Sequence, residues 1–303
     1  MIRSLDEIIA EAKKKETYRI AVAAAQDVPV LLAVARAKEE SIAEPVLVGD
    51  KDEILKISID LGLDFGDTEI IDIEDKTEAC MKAAHLVSEG RADLIMKGFV
   101  DTAVIMRAVL DPQNDLLRDR LVSHVAVLQV PAYERLFYIT DSAMNIAPDL
   151  EQKQDIIINA VEVAHALHNE RPNVGILAAV EKVNPKMECT VHAKELTDRC
   201  RKGAITGCSV YGPLALDNAV SEEAAKHKGI KSSVAGNADI LLAPDIEAGN
   251  ILNKSMEYFA GGLKASIIVG AKVPVVLTSR ASSAQSKLYS IALGVLVASY
   301  EGE

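Results

Sequence analysis

Short β-branched runs alternate with amphipathic helical segments along almost the whole chain, and this alternation limits the fold more than any other feature. "RIAVAAA" (19–25), "PVLVG" (45–49), "EIIDI" (69–73), "LIMKG" (94–98) and "HVAVLQV" (124–130) read as strands. So do "LFYIT" (136–140), "VGILAAV" (174–180), "DILLAPD" (239–245), "SIIVGA" (266–271) and "VPVVLT" (273–278). Apolar residues at three- and four-residue spacing make helices of "EDKTEACMKAAHLVSEG" (74–90) and "EQKQDIIINAVEVAHALHN" (151–169). A chain of this kind builds βαβ units and mostly parallel sheets. Its apolar content agrees: 49% of residues are hydrophobic, yet only 4% are aromatic and none is Trp, the Ala/Val/Ile/Leu diet of sheets covered by helices. One pair departs from the rule. Only residues 131–135 separate the strands at 124–130 and 136–140, too few for a helical crossover, so these two are expected to run antiparallel.

At 303 residues the chain is long enough for two α/β domains. The polar stretch 112–123, "PQNDLLRDRLVS", is the expected boundary. The formal net charge of −12 argues against nucleic acid or anionic membrane as partners, so an anionic small ligand would need a local cationic patch. Cys80, Cys189, Cys200 and Cys208 include no C-x-x-C pair, which suggests reduced thiols in a cytoplasmic protein. The opening "MIRSLDEIIAEAKKKE" reads as a charged amphipathic helix, not a signal peptide, and no segment reaches the length of an apolar membrane span.

Ligands of doubly wound sheets sit beyond the carboxyl ends of strands. Polar loops occur there repeatedly: Lys97 and Gly98 after "LIM", Thr140 to Asn145, Glu181 to Asn184, Asp245 to Asn250, and Thr278 to Ser283. The last, "VVLTSRASS", is the most telling. Thr278, Ser279, Ser282 and Ser283 offer hydroxyls, Arg280 offers a planar fork suited to phosphate, and a helix N-terminus follows. Ser282 or Ser283 is expected to cap that helix. The alternative is a structural ion pair of Arg280 with Asp245 or Glu247. Gly249 could admit a ligand to the backbone and Asn250 could bind one, or both could simply open a helix. Lys97 could be a ligand or a solvated strand end. Cys189, His192 and Cys200 lack metal-site spacing, and neither G-x-G-x-x-G after a strand nor G-x-x-x-x-G-K-[ST] occurs.

"VAGNADILLAPDIEAGNILNKSMEYFAGG" (234–262) and "GAKVPVVLTSRASSAQSKLYSIALG" (270–294) resemble the phosphate acetyltransferase and butyryltransferase family, as do "FYITDSAMNIAPDLEQK" (137–153) and "YGPLALDNAVS" (211–221). "ILAAVEKVNPKM" (176–187) brings the chain nearer the butyryl branch. The resemblance implies two α/β domains with a cleft between them, residues 1–119 plus 268–303 forming the first and 120–267 inserted as the second. It implies acyl transfer between CoA and inorganic phosphate, no metal or bound organic cofactor, and a homo-oligomer. Ser279 and Arg280 match the family's active-site pair, and Arg107 aligns with an arginine that binds the anionic substrates. Ser286 stands where the family's acetyltransferases carry an aspartate thought to be the general base.

Overall fold

The computed structural model describes residues 1–300, which form two compact units. One contains Leu5–Arg120 and the chain from Lys264 onward; the other contains Met1–Ser4 and Leu121–Leu263.

The first unit opens with α1 (Leu5–Ala12), β1 (Tyr18–Ala23), α2 (Val28–Glu39), β2 (Ala43–Gly49), α3 (Lys51–Leu61), β3 (Ile70–Asp72), α4 (Lys76–Ser88), β4 (Leu94–Lys97) and α5 (Thr102–Val109). The inserted unit follows with β5 (Ser123–Gln129), β6 (Phe137–Thr140), α6 (Leu150–Ala166), β7 (Asn173–Leu177), α7 (Glu188–Arg201), β8 (Ser209–Leu214), α8 (Leu216–Val220), α9 (Glu222–His227), β9 (Ile240–Leu242) and α10 (Ile246–Tyr258). The chain returns through β10 (Leu263–Val269), β11 (Val275–Val276) and α11 (Ala284–Ala298). The boundary expected at 267/268 falls inside β10, which begins earlier than its apolar run suggests. Residues 1–4 leave the first unit because the Ile2 N–H donates to the Leu167 carbonyl at 3.0 Å in the other.

Helix ends follow their sequence signals. Asp50, Asp75 and Asp149 accept backbone N–H groups in the first turns of α3, α4 and α6, and Asp149 forms a full capping box with Gln152. Gly62 takes the left-handed conformation that ends α3. The first unit's strands run in the order β3-β2-β1-β4-β11-β10, parallel except for the β10–β11 pair. In the inserted unit the order is β5-β6-β9-β7-β8, and the β5–β6 pair is antiparallel, as its short connection requires.

β8 escaped the sequence reading because Pro213 lies within it. Proline cannot donate to a ladder and is tolerated on outer strands, and β8 occupies the outer position beside β7. A core of Leu128, Phe137, Ile139, Leu177, Leu214 and Leu241 holds this unit's helices to its sheet. In the first unit α11 is buried from Ser286 to Leu296, around its whole circumference. No helix among the described residues is long and apolar enough to cross a membrane.

Candidate active site

The first unit's sheet reverses its strand order at β1. β2 and β3 lie on one side of it, and β4 joins on the other. Such a reversal opens a crevice at the carboxyl ends of the two central strands. Here the backbone is drawn tight. The N–H groups of Gly98 and Phe99 donate to the carbonyls of Ala23 and Ala24, both at 2.8 Å. A Cβ on Gly98 would stand 2.1 Å from the Ala24 carbonyl oxygen, so no larger residue fits. Ala24 itself holds φ +53°, a conformation that costs a non-glycine residue about 1–2 kcal/mol. Strain of this kind gathers where a site is being shaped.

Thr278–Ser283 leaves β11, the neighbour of β4, at the same edge. The Ser282 N–H donates to the Ser279 carbonyl at 3.1 Å, and the Ala281 N–H donates to Ser279 Oγ at 3.3 Å, which closes a tight turn. Ser283 caps α11, accepting from the Ser286 N–H at 3.2 Å. Ser282 does not share that work. It is buried, and its hydroxyl has no partner among the described residues. Arg280 stands exposed on the rim, where its guanidinium pairs with Asp101 and lies 5.9 Å from the centroid of the Phe99 ring. Lys76 covers the same ring at 4.2 Å.

Two buried lysines stand at the same edge. Lys97, at the end of β4, is 4% exposed; Lys287, in the first turn of α11, is 2% exposed. Lys97 Nζ donates to the carbonyls of Val100 at 2.9 Å and Gly98 at 3.3 Å. Lys287 Nζ donates to Thr278 Oγ1 at 3.0 Å and to the Ser279 carbonyl at 3.2 Å, so it grips the base of the serine–arginine turn. Burial pushes the Lys97 ammonium down to about 8; the charges of Lys287 and Arg280 push the same way, while Asp101 and Asp27 oppose them. Burial also lowers Lys287, again opposed by Asp27. Asp27 and Asp101 occupy the N-cap positions of α2 and α5, yet neither side chain caps its helix. Both carboxylates act on the cations instead. The whole constellation suits an anion: ammonium and guanidinium donors, buried hydroxyls and the N-terminus of α11.

The model of the family described as "Phosphate acetyl/butaryl transferase" matches residues 4–81 and 75–295. The chain belongs to this family. A phosphate butyryltransferase of Clostridium acetobutylicum is 49% identical over 98% of this chain and 99% of its own length. A phosphate acetyltransferase of Thermotoga maritima is 46% identical over 96% and 99%. The crystal structure of a branched-chain phosphotransacylase from Enterococcus faecalis superposes with a TM-score of 0.80 at 32% identity, covering 94% of this chain and all of that one.

The residues singled out in the sequence divide between the two units. Ser279, Arg280, Thr278, Ser282, Ser283 and Lys97 gather at the β1–β4–β11 edge. Arg107 shares that unit but lies on the exposed side of α5, its Nε donating to the Ala103 carbonyl at 3.2 Å. Gly249 and Asn250 belong to the other unit, and both have structural work there. A Cβ on Gly249 would stand 2.2 Å from the Asp141 carbonyl oxygen, so the close approach the glycine allows is to backbone. Asn250 Nδ2 donates to the Ser142 carbonyl at 3.0 Å. Asp245, weighed as a partner for Arg280, instead accepts the Ala248 N–H at the start of α10. Ser286, where the resemblance to the acetyltransferases led to an expected aspartate position, is buried and accepts from Ser283 Oγ at 3.3 Å. Sequence reasoning missed Lys287, Asp27 and Asp101. The aspartates carried a signal, since each opens a helix beside a strand end, but nothing was drawn from it.

Proposed function

We propose that this chain transfers a short acyl group between CoA and inorganic phosphate, with butyryl-CoA plus phosphate giving butyryl phosphate plus CoA. The observation that carries the reading is the serine–arginine turn gripped by buried Lys287, at the same strand-end edge as buried Lys97, both lysines without a carboxylate within ion-pair distance among the described residues. Family membership supplies the reaction to which such an anion site belongs.

In this scheme a phosphate oxygen attacks the thioester carbonyl and the carbon–sulfur bond breaks. The proton that the phosphate gives up ends on sulfur. Arg280, with its planar fork, binds the phosphate and steadies the charge on the acyl oxygen as the tetrahedral species forms. Thr278, Ser279, Ser282 and Ser283 add hydroxyls, and Arg107 contributes to binding the anionic substrates. A free thiol ionises near ~8.5, and an arginine and a helix N-terminus lower that value, so thiolate departs without a dedicated acid. This accommodates Ser286 at the family's aspartate position.

The reaction as proposed uses no metal and no bound organic cofactor, and chelator is expected to leave turnover unchanged. A cytoplasmic location and a homo-oligomeric state complete the proposal on the strength of the family likeness. The decisive experiment measures free thiol released from a panel of acyl-CoA thioesters, acetyl through valeryl and the branched chains, with and without phosphate. Butyryl-CoA is expected to give the highest kcat/KM. A preference for acetyl-CoA, the second reading favoured by the Thermotoga relative, would reassign the acyl group. Binding without thiol release would make the chain an acyl-CoA sensor.

A further inference from the structure

We propose that Lys97 and Lys287 together form the seat of the phosphate: a floor of two ammonium groups, beneath the arginine rim, that binds a tetrahedral dianion. The inference deepens the transacylase reading and rests on it for the identity of the anion.

The floor is built at a cost that a bound anion would offset. An ammonium taken out of water is strongly destabilising unless a counter-charge replaces its hydration. Neither Lys97 nor Lys287 has that counter-charge within ion-pair distance among the described residues. Their four hydrogen bonds go to neutral oxygens, three carbonyls and one hydroxyl. An ammonium has three N–H donors, so one remains on each lysine. The groups that face them come from every neighbouring element. Cys80 on α4 is held neutral, its thiol pushed up to about 11. Arg280 adds a third positive charge, Asp101 is already engaged by Arg280, and Asp27 acts on both lysines from beyond ion-pair distance.

A second, independent observation points to the same ligand. Ser282, 3% exposed, keeps its hydroxyl buried and unpartnered in the same turn whose base Lys287 grips. A buried polar atom without a partner is uncommon in a folded protein and marks a place where a missing partner belongs. Two spare N–H groups and one spare hydroxyl, arranged with a guanidinium at the rim, match the several oxygens of phosphate better than the single point of a halide.

The signature of such a seat has opposite signs with and without ligand. Removing one charge relieves repulsion in the empty protein and abolishes the gain on binding. The experiment is thermal unfolding of the full chain in inorganic phosphate, in sulfate and in chloride at matched ionic strength, for wild type, Lys97→Gln, Lys287→Gln and Lys287→Arg. Wild type should be stabilised by phosphate and sulfate and not by chloride. Lys97→Gln keeps an N–H for the Val100 carbonyl and drops the charge. It should melt at or above the empty wild type and lose the phosphate response. Its KM for phosphate should rise on the order of ten- to a hundredfold, as for loss of a charged hydrogen bond, with KM for acyl-CoA held within about twofold. Lys287→Arg keeps the charge and should retain the response. If Lys287→Gln fails to fold because the turn loses its grip, Lys97→Gln decides the matter. An undiminished phosphate response in Lys97→Gln, an equal response to chloride, or no response in wild type would each overturn the seat. A phosphate response that disappears in Lys97→Gln, in a wild type that turns over no acyl-CoA, would leave the seat standing and remove the transacylase reading.

Discussion

Replacing Arg280 separates a catalytic arginine from a structural one, because the two roles differ in size by more than either measurement's error. The contacts of Arg280 are all on the rim. The side chain is 54% exposed and that of its partner Asp101 is 74% exposed. An ion pair so open to water contributes about 0.2–1 kcal/mol. The stacking on Phe99 adds about 0.5–1 kcal/mol at an exposed site. Arg280→Ala should therefore lower stability by no more than about 2 kcal/mol, a fall in Tm of a few degrees for a chain of this size. If the guanidinium stabilises the transferring phosphate and the acyl oxyanion, the same change should cost about two to three orders of magnitude in kcat. Arg280→Lys should recover little of that, since an ammonium keeps the charge and loses the bidentate fork. The assay is thiol release at saturating acyl-CoA and phosphate, run beside thermal unfolding of each variant. Near-normal kcat in a folded Arg280→Ala protein, or a loss matched by unfolding at the assay temperature, would refute a catalytic arginine and leave the turn as a capped helix start.

Asp101→Asn frees Arg280 from its resting partner, so the KM for phosphate should fall about two- to fivefold, the scale of an exposed ion pair; a rise would mean that Asp101 holds the arginine in its productive place. Ser286→Asp puts a carboxylate in the first turn of α11, where the helix dipole favours it, so the variant should fold, keep or gain activity, and carry an acid limb shifted to lower pH; a severe loss in a folded protein would give Ser286 a packing or binding role. Lys97, held near 8 against its usual 10.5, binds fewer protons in the folded than in the unfolded chain between those values. Stability of the phosphate-free protein should accordingly rise with pH from about 8 to about 10.5 relative to Lys97→Gln, read from denaturant midpoints, and a fall across that window would contradict a buried, charge-strained lysine.

The fold was legible where local chemistry and tertiary demand agree. Alternating β-branched runs and helical spacing located most strands, and the short gap after β5 announced an antiparallel pair. β8 was hidden because Pro213 is a strand breaker everywhere except at positions such as the one it occupies. Residues 266–271 and 273–278 were both visible as strands, but their antiparallel pairing was not drawn from the single intervening residue. The site was legible only along the chain. The strand-end rule found Lys97 and the turn from Thr278 to Ser283, since their meaning depends on position after a strand. Lys287 gave no such sign. In "AQSKLYSIALG" it reads as an ordinary lysine on the outer face of a helix, and only the burial of α11 on every side turns it inward. Asp27 and Asp101 went unremarked for the converse reason: an aspartate before a helix looks like an ordinary cap, and nothing along the chain shows that Asp101 pairs with Arg280 or that Asp27 acts on both lysines.

The charges of the whole chain and of the site have opposite signs, and distance decides which a phosphate feels. The net charge of −12 repels a dianion in bulk solution, but at physiological salt that repulsion is screened beyond roughly 8 Å. Lys97 and Lys287 act inside the protein, at hydrogen-bond range and largely shielded from salt. Lysines on the surface would have been neutralised by the abundant carboxylates around them, as Lys13, Lys14 and Lys194 are by Glu40, Glu11 and Asp198. Burial is what keeps two ammonium groups unclaimed in so acidic a protein, and the strain it imposes on the empty site is the same free energy that an arriving phosphate recovers.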